Sequence, residues 1–375
     1  MEQTAARARF ETSAMIQRNA CVACGEAIHE WFLHKDFPIF NGCTDAPSNR
    51  DELFDFRVGG CPACAMVQQT STPDLATLYR EPRAFGYGKL WKGHYDAFAA
   101  FVRDRIRPGD VVLEVGGGNG VLLDRLGTHE DVEPNPQYDL PHVVTHKVYF
   151  HDFEPVARRY DVIYASHLIE HVLDPQEFFT KAAACLSRRG VLLTACPDIS
   201  RSLAATHLNA FTPDHFNYFT PVSLANLAAK AGLVATRHAA YEDHGMYMEF
   251  QFGSDSLALP PDQPSMEWPK YRSRLSAMGA VIDAAPEGAY LYGAHTFTLA
   301  MLRHVRDPDR FRVVLDNEPT KHNRRLTGTH LVCRSPTTIV GEDKPTVLIY
   351  MGAYSSEISD RLKELEPSVN AVRLT

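Results

Sequence analysis

Two Cys-x-x-Cys pairs, Cys21-Val-Ala-Cys24 and Cys61-Pro-Ala-Cys64, are separated by 36 residues. Each pair can turn as a knuckle that aims two thiolates at one ion, and two knuckles complete a closed tetrahedral site of the structural-zinc kind. We therefore expect one structural zinc on Cys21, Cys24, Cys61 and Cys64. Four thiolates leave no open coordination position, so the metal is given no catalytic role. A thioredoxin-like pair would open a helix after a strand and would not come twice. Cys43 fits a lone buried thiol better than a replacement ligand. A second chemical signal is the run 111–120, VVLEVGGGNG. An apolar strand ends near Glu114, and Gly116, Gly118 and Gly120 follow where a backbone must turn sharply and touch a ligand. Dinucleotide loops want G-x-G-x-x-G; here the spacing is G-x-G-x-G, and a carboxylate two residues before the first glycine sits badly beside a pyrophosphate. It suits a cation better, such as the amino group or sulfonium of S-adenosylmethionine.

The E-x-G-x-G-x-G pattern resembles the first motif of class I S-adenosylmethionine-dependent methyltransferases, and further landmarks follow in order. The resemblance implies that Glu133, in DVEPNP, closes the second strand and accepts from the ribose hydroxyls. It implies that Asp152, in FHDFEP, lies near the adenine amino group with Phe153 beside the ring. The run 160–172, YDVIYASHLIEHV, resembles the fourth strand and its following turn, so His167 joins the cofactor-binding candidates.

At larger scale, the sequence resembles the zinc-containing sugar C-methyltransferase family, which acts on nucleotide-linked keto-deoxysugars. The resemblance covers essentially the whole chain, through CPACAMVQ, through DHFNYFTPVSLANLAAKAGL and through Asp316, Lys321 and Gly328-Thr-His. Most pointed is Tyr241-Glu-Asp243-His244-Gly245, which matches a Tyr-x-Glu-His-Gly run with Asp in the acidic place. In that family the Tyr and His transfer protons and the acid orients the His. The chemistry is coherent: methylating carbon needs a carbanion equivalent, a neighbouring ketone acidifies the C–H, and a neutral histidine can act as base. Asp243 or Glu242 would fix the imidazole tautomer, and Tyr241 would donate to the developing enolate oxygen. His215, and the stretch Tyr87, His94 and Tyr95, are second candidates for catalysis. The chain departs from the family pattern at Met246-Tyr247-Met248 and at Gly293-Ala-His295-Thr-Phe297, where small residues and a glycine-rich loop are usual. The alternative is therefore an O- or N-methyltransferase acting on another small metabolite.

These residues need an α/β frame. Short β-branched runs alternate with helical stretches from about 79 to 253, which predicts a Rossmann-like core. The segment 253–265, rich in Pro, Ser and Asp, reads as a linker. A helix at 268–284 and a second strand–helix alternation follow, predicting a smaller Rossmann-like domain. The expected units are a zinc ribbon at 1–78, a cofactor-binding core at 79–253 and a C-terminal domain at 254–375 covering the substrate cleft, with Tyr241, Asp243 and His244 facing that cleft. Arg303, Arg306, Arg310, Arg312, Lys321, Arg324 and Arg325 read equally as a diphosphate clamp or as a face balanced by nearby acids.

Composition narrows the function classes. The 375 residues carry a net charge of −8 with a pI near 6.1, which disfavours broad nucleic-acid or membrane binding through charge. Residues 1–78 hold six Lys or Arg against ten Asp or Glu, the wrong sign for an RNA-gripping ribbon, so an RNA methyltransferase is the weaker reading. A module that only binds the cofactor or a partner is opposed by the Tyr-x-Asp-His run. No apolar run approaches the roughly 18 residues of a membrane span, and residues 1–20 lack the apolar centre of a secretory signal. A cytoplasmic enzyme with a small-molecule acceptor is expected.

Overall fold

The computed structural model describes residues 15–40, 42–78, 89–155, 159–242, 244–259 and 264–374. Asp243 and Tyr87 lie outside them.

The N-terminal region forms β1 (Met15–Gln17), β2 (His29–Pro38), β3 (Cys43–Thr44), β4 (Leu53–Gly60) and β5 (Val67–Pro73), then the short α1 (Leu75–Leu78). Strands β1, β5, β4 and β2 pair antiparallel in that order. EWFL and LFDFRV, strand-like in the sequence, fall in β2 and β4.

The central sheet follows from α2 (Lys89–Arg103), β6 (Val112–Val115), α3 (Val121–Leu126), β7 (Glu130–Val132), β8 (Val144–His146), β9 (Tyr160–Ser166), α4 (Pro175–Cys185), β10 (Leu186–Pro197), α5 (Ile199–Ala204), β11 (Asn217–Tyr218), α6 (Pro221–Lys230), β12 (Leu233–Tyr241) and β13 (Gly245–Phe252). Its order is β12-β13-β10-β9-β6-β7-β8. The pairings from β8 to β10 are parallel, and β13 runs antiparallel to both neighbours. This is the α/β class I methyltransferase arrangement. Four of the seven residues of β9 in a row, Val162 to Ala165, are buried, as a strand covered on both faces requires. Helix starts are locally encoded. Asp174 caps α4 by accepting from Glu177 N at 3.0 Å, with Pro175 in the first turn, and Thr220 and Ser223 close a capping box on α6.

The C-terminal region supplies α7 (Pro264–Asp283), β14 (Tyr290–Tyr292), α8 (Thr296–Leu302), β15 (Val313–Leu315), β16 (Arg325–Leu326), β17 (Val332–Arg334), β18 (Thr346–Ile349), α9 (Ser355–Leu365) and β19 (Asn370–Arg373). The expected strand–helix alternation is present. Yet strand pairing crosses the expected boundaries at 78 and 253. Strand β3 pairs with β16 at the edge of the C-terminal sheet, and β11 pairs with β5. One apolar core draws Phe37 and Phe56, Phe211 and Phe216, and Leu291 and Val314 together from all three regions.

Six of the seven cations of the run are engaged within the chain. Arg325 holds the buried Asp51 with two hydrogen bonds of 2.7 Å, Arg324 pairs with Asp45 at 3.0 Å, Arg306 with Asp283 and Lys321 with Asp316 at 2.9 Å. Arg303 and Arg310 donate to backbone carbonyls. These cations fasten the C-terminal region to itself and to the N-terminal region, which is in keeping with the balanced-face reading.

Candidate functional site

A cleft of about 1110 Å³ opens at the carboxyl ends of β6 and β9 and reaches Thr296 and Thr327 of the C-terminal region. Its floor is the glycine loop. Gly116, Gly118 and Gly120 have φ of 82°, 50° and 74°, the left-handed region that favours glycine. Gly120 also sits at the N-cap of α3. Glu114 lines the cleft yet is only 2% exposed, with the Tyr164 hydroxyl 3.0 Å from its Oε2. Glu133 accepts from Gly118 N at 3.2 Å and from Asn135 N at 2.8 Å, so it grips the loop directly.

Asp131 was not among the sequence candidates. It is fully buried, accepts from Gly117 N at 3.1 Å and from the Tyr138 hydroxyl at 2.6 Å, and so pins the loop to β7. Three carboxyl groups thus converge beneath the loop. Burial, then the charges of Asp131 and Glu133, push the Glu114 carboxyl well up; burial chiefly, with Glu133, raises Asp131 to about 7. Glu114 and Asp131 are costly to ionise without a cation, and an ammonium or sulfonium placed there would relieve that cost. The donor set fits S-adenosylmethionine, with Glu114, Glu133 and the loop backbone as its holders.

The raised Asp131 carries a stability consequence. Its carboxyl keeps a proton when folded that it loses above pH 3.8 in the unfolded chain, so the stability it contributes is full below about pH 4 and lost as pH rises through about 7. Asp131→Asn mimics the protonated form and should flatten the fall in Tm between pH 4 and 8. A Tm profile parallel to the wild type's would contradict this.

Asp152 and Phe153 do not join the cleft. The adenine-side roles expected for them draw no support from this placement. A 3-10 turn at Phe150–Asp152 turns Asp152 into solvent beside His151 at 3.4 Å, while Phe153 is 3% exposed and packs in the core against His146 and Tyr160.

The opposite wall carries the proton-transfer candidates. Tyr241 ends β12 and His244 occupies the turn into β13, and both line the cleft. Their rings lie 6.4 Å apart, and Tyr241 stacks on Tyr247 at 5.4 Å. Burial, then the charge of Glu242, raises the Tyr241 phenol, which keeps it a hydrogen-bond donor. His94 is brought close, 5.5 Å ring to ring from Tyr241, with Nε2 3.0 Å from Ser166 Oγ. Burial, then the fields of His167 and His244, lowers it to about 2. A base so weak is poorly matched to proton abstraction near neutrality. His167 lines the same wall with φ of 50°, 4.7 Å from the His94 ring. His215 also lines the cleft, but its ring neighbours are His171 and Tyr218, not Tyr241 or His244. Met246 and Tyr247, buried in β13, supply bulky walls at the positions of the departure noted above. His295 turns inward instead, and its Nδ1 accepts from Phe297 N at 3.1 Å to cap α8.

The four cysteines form a separate cluster. Their sulfurs lie within 4.8 Å of one another, with Cys21 Sγ to Cys64 Sγ and Cys24 Sγ to Cys61 Sγ both at 3.5 Å. A disulfide needs about 2.05 Å, whereas a Zn–S bond of about 2.3 Å sets tetrahedral sulfurs roughly 3.8 Å apart. Both knuckles close in the same way: Gly25 N donates to Cys21 O at 2.8 Å and Ala65 N to Cys61 O at 3.1 Å. The donors fit a closed four-thiolate metal site. Cys43 lies elsewhere, on β3, in contact with Cys333.

Residues 89–238 match a family model described as a methyltransferase domain. No curated protein matches the chain. Among solved structures, the chain is similar to the CcbJ methyltransferase of Streptomyces caelestis, with 15% identity over 48% of this chain and 96% of that one and a TM-score of 0.36. It is similar to an S-adenosylmethionine-dependent methyltransferase of Clostridium acetobutylicum at 8% identity, over 44% of this chain and 93% of that one, with a TM-score of 0.33. It is similar also to the glycopeptide N-methyltransferase MtfA at 12% identity, over 45% and 90% respectively, with a TM-score of 0.35.

Proposed function

For a chain that is an S-adenosylmethionine-dependent methyltransferase, we propose that the methyl acceptor is a carbon of a nucleotide-linked keto-deoxysugar, deprotonated by His244. The observation that carries this reading is that Tyr241 and His244 line the same cleft as the Gly116 to Gly120 loop. Heteroatom methylation of an already acidic group needs no such pair.

The residues divide the work as follows. Glu114, Glu133 and the loop amides hold the cofactor, and Asp131 holds the loop. Bound S-adenosylmethionine supplies an electrophilic methyl on a sulfonium. His244 takes the proton from the carbon beside the ketone, and the electron pair of that C–H bond moves into the enolate. Tyr241, kept protonated by burial, donates to the enolate oxygen. His94 stays neutral and packs against Tyr241. Holding carbon and methyl in line is then the enzyme's main remaining contribution. A cleft of about 1110 Å³ exceeds the usual 300–1,000 Å³ of a small-ligand pocket, in keeping with a cofactor plus an extended acceptor.

A second reading, O- or N-methylation of a smaller and more aromatic metabolite, draws support from Met246 and Tyr247 on the cleft wall. Deuterium exchange separates the two. In heavy water without cofactor, a keto-deoxysugar nucleotide should lose its α-proton signal with the wild type, lose it more slowly with Tyr241→Phe and keep it with His244→Ala. Methylation of oxygen or nitrogen with no exchange would favour the second reading.

We propose a structural zinc on Cys21, Cys24, Cys61 and Cys64. Elemental analysis should return one zinc per chain bound there. Cys24→Ser should lose it and lower Tm, at about 2–4 °C for each kcal/mol lost. Full stability with no zinc would refute the assignment. Among the described residues no helix is long and apolar enough to cross a membrane.

A further inference from the structure

A second group of metal-ligand residues borders the cleft, away from the cysteines. Glu170 and His171 lie on the 3-10 turn Ile169–His171 after β9, and His215 comes from the segment before β11. Each offers a ligand atom within 4.8 Å of the others. The turn and the segment are locked together, since Phe216 N donates to Glu170 O at 2.8 Å and Gln69 Nε2 donates to His215 O at 2.6 Å. Glu170 is 1% exposed, and its two oxygens differ. Oε1 meets His167 Nδ1 at 3.0 Å, whereas Oε2 is buried with no hydrogen-bond partner. A buried carboxylate oxygen without a partner is expensive.

The imidazoles are set up in a matching way. His171 Nδ1 lies 2.7 Å from Asp214 O, so Nδ1 carries the proton and donates to that carbonyl. The lone pair is then on Nε2, the tautomer that a second-shell carbonyl imposes on a metal-binding histidine. The His215 ring meets the His171 ring edge to face at 4.7 Å. His171 and His215 both line the cleft.

We propose that Glu170, His171 and His215 bind a divalent transition-metal ion on the cleft wall, with its remaining positions open to the acceptor. Two imidazoles and one carboxylate suit zinc, cobalt(II), nickel(II) or iron(II) better than magnesium or calcium. A metal with open positions would take an oxygen of the acceptor and polarise it as a Lewis acid. His167 is the outer partner that orients Glu170. The site goes beyond the reading of His244 as base and stands whether the methylated atom is carbon or oxygen.

Cobalt(II) chloride is the probe, titrated into full-length protein and followed by its absorption. Cobalt on thiolates gives intense sulfur-to-metal charge-transfer bands, and cobalt on two nitrogens and a carboxylate gives only weak visible bands. The proposal expects one equivalent with weak visible bands and no charge transfer, competed off by zinc. Glu170→Gln, which keeps the side chain's shape, and His215→Ala, at a half-buried position, should each abolish that equivalent while S-adenosylmethionine still binds, which reports folding. His167→Ala should weaken it by about 10–100-fold, the usual cost of losing an outer partner. Cobalt that binds only with thiolate charge transfer, or weak-band binding that survives in whichever of the two ligand variants folds, overturns the proposal.

Discussion

His244→Ala is expected to lower turnover on the keto-deoxysugar acceptor by roughly 10²–10⁴-fold, the usual worth of a positioned general base, while S-adenosylmethionine affinity stays at the wild-type value. The effect is large because the imidazole packed against Tyr241 is a poor substitute. His94 faces the same space, but burial and the fields of His167 and His244 hold it near 2, so it stays unprotonated and weakly basic. Tyr241 is raised by burial and by Glu242, which suits it to donate rather than accept a proton. Tyr241→Phe should therefore cost less than His244→Ala, since it removes one hydrogen bond to the enolate and leaves proton removal intact. Steady-state and single-turnover rates with a radiolabelled methyl group measure both. Near-normal turnover in His244→Ala would exclude it as the base.

Gly117→Val is expected to weaken S-adenosylmethionine binding by at least about 100-fold, corresponding to roughly 2.8 kcal/mol at 1.4 kcal/mol per decade. A Cβ at this position would lie 2.4 Å from Asp131 Oδ2, closer than any real contact. Asp131 cannot yield easily, being fully buried and tied to Tyr138 and to Gly117's own amide. The loop must then lift off β7, which also breaks the grip of Glu133 on Gly118 N. Gly116→Val should act in the same direction, because φ of 82° disfavours a side chain and its Cβ would press on Leu168 at 3.1 Å. Calorimetry on each variant gives the affinity directly. Binding within a few-fold of the wild type in Gly117→Val would contradict the loop's assigned role, and NAD binding by the wild type would contradict the cofactor.

Much of this site is legible in the sequence because its chemistry is local. Glu114, the glycines, and Tyr241 with His244 each fall in one short run, and one strand end delivers each run to the cleft. The paired cysteines are legible for the same reason, since each knuckle is four residues long. Asp131 escaped because DVEP offers two acids, and which one turns under the loop depends on the register of β7 against β6. The placement of Asp152 and Phe153 was not legible, because a single 3-10 turn leaves the one in solvent and the other in the core. The cationic run could not be judged from sequence at all. Its partners Asp45 and Asp51 belong to the N-terminal region, and strand β3, only two residues long, brings them there. Glu170 and His171 were read only as part of a strand-and-turn landmark, because His215 reaches them through tertiary packing and not through spacing.

The most direct test of the account is the identity of the methylated atom. The protein is incubated with methyl-¹³C S-adenosylmethionine and a panel of nucleotide-linked keto-deoxysugars, and the product's labelled methyl is examined by carbon NMR. The account predicts a methyl bonded to the carbon beside the ketone, seen as a one-bond carbon–carbon coupling when the sugar is also labelled, and formed by the wild type but not by His244→Ala. A labelled methyl on oxygen or nitrogen, formed equally well by His244→Ala, would contradict it.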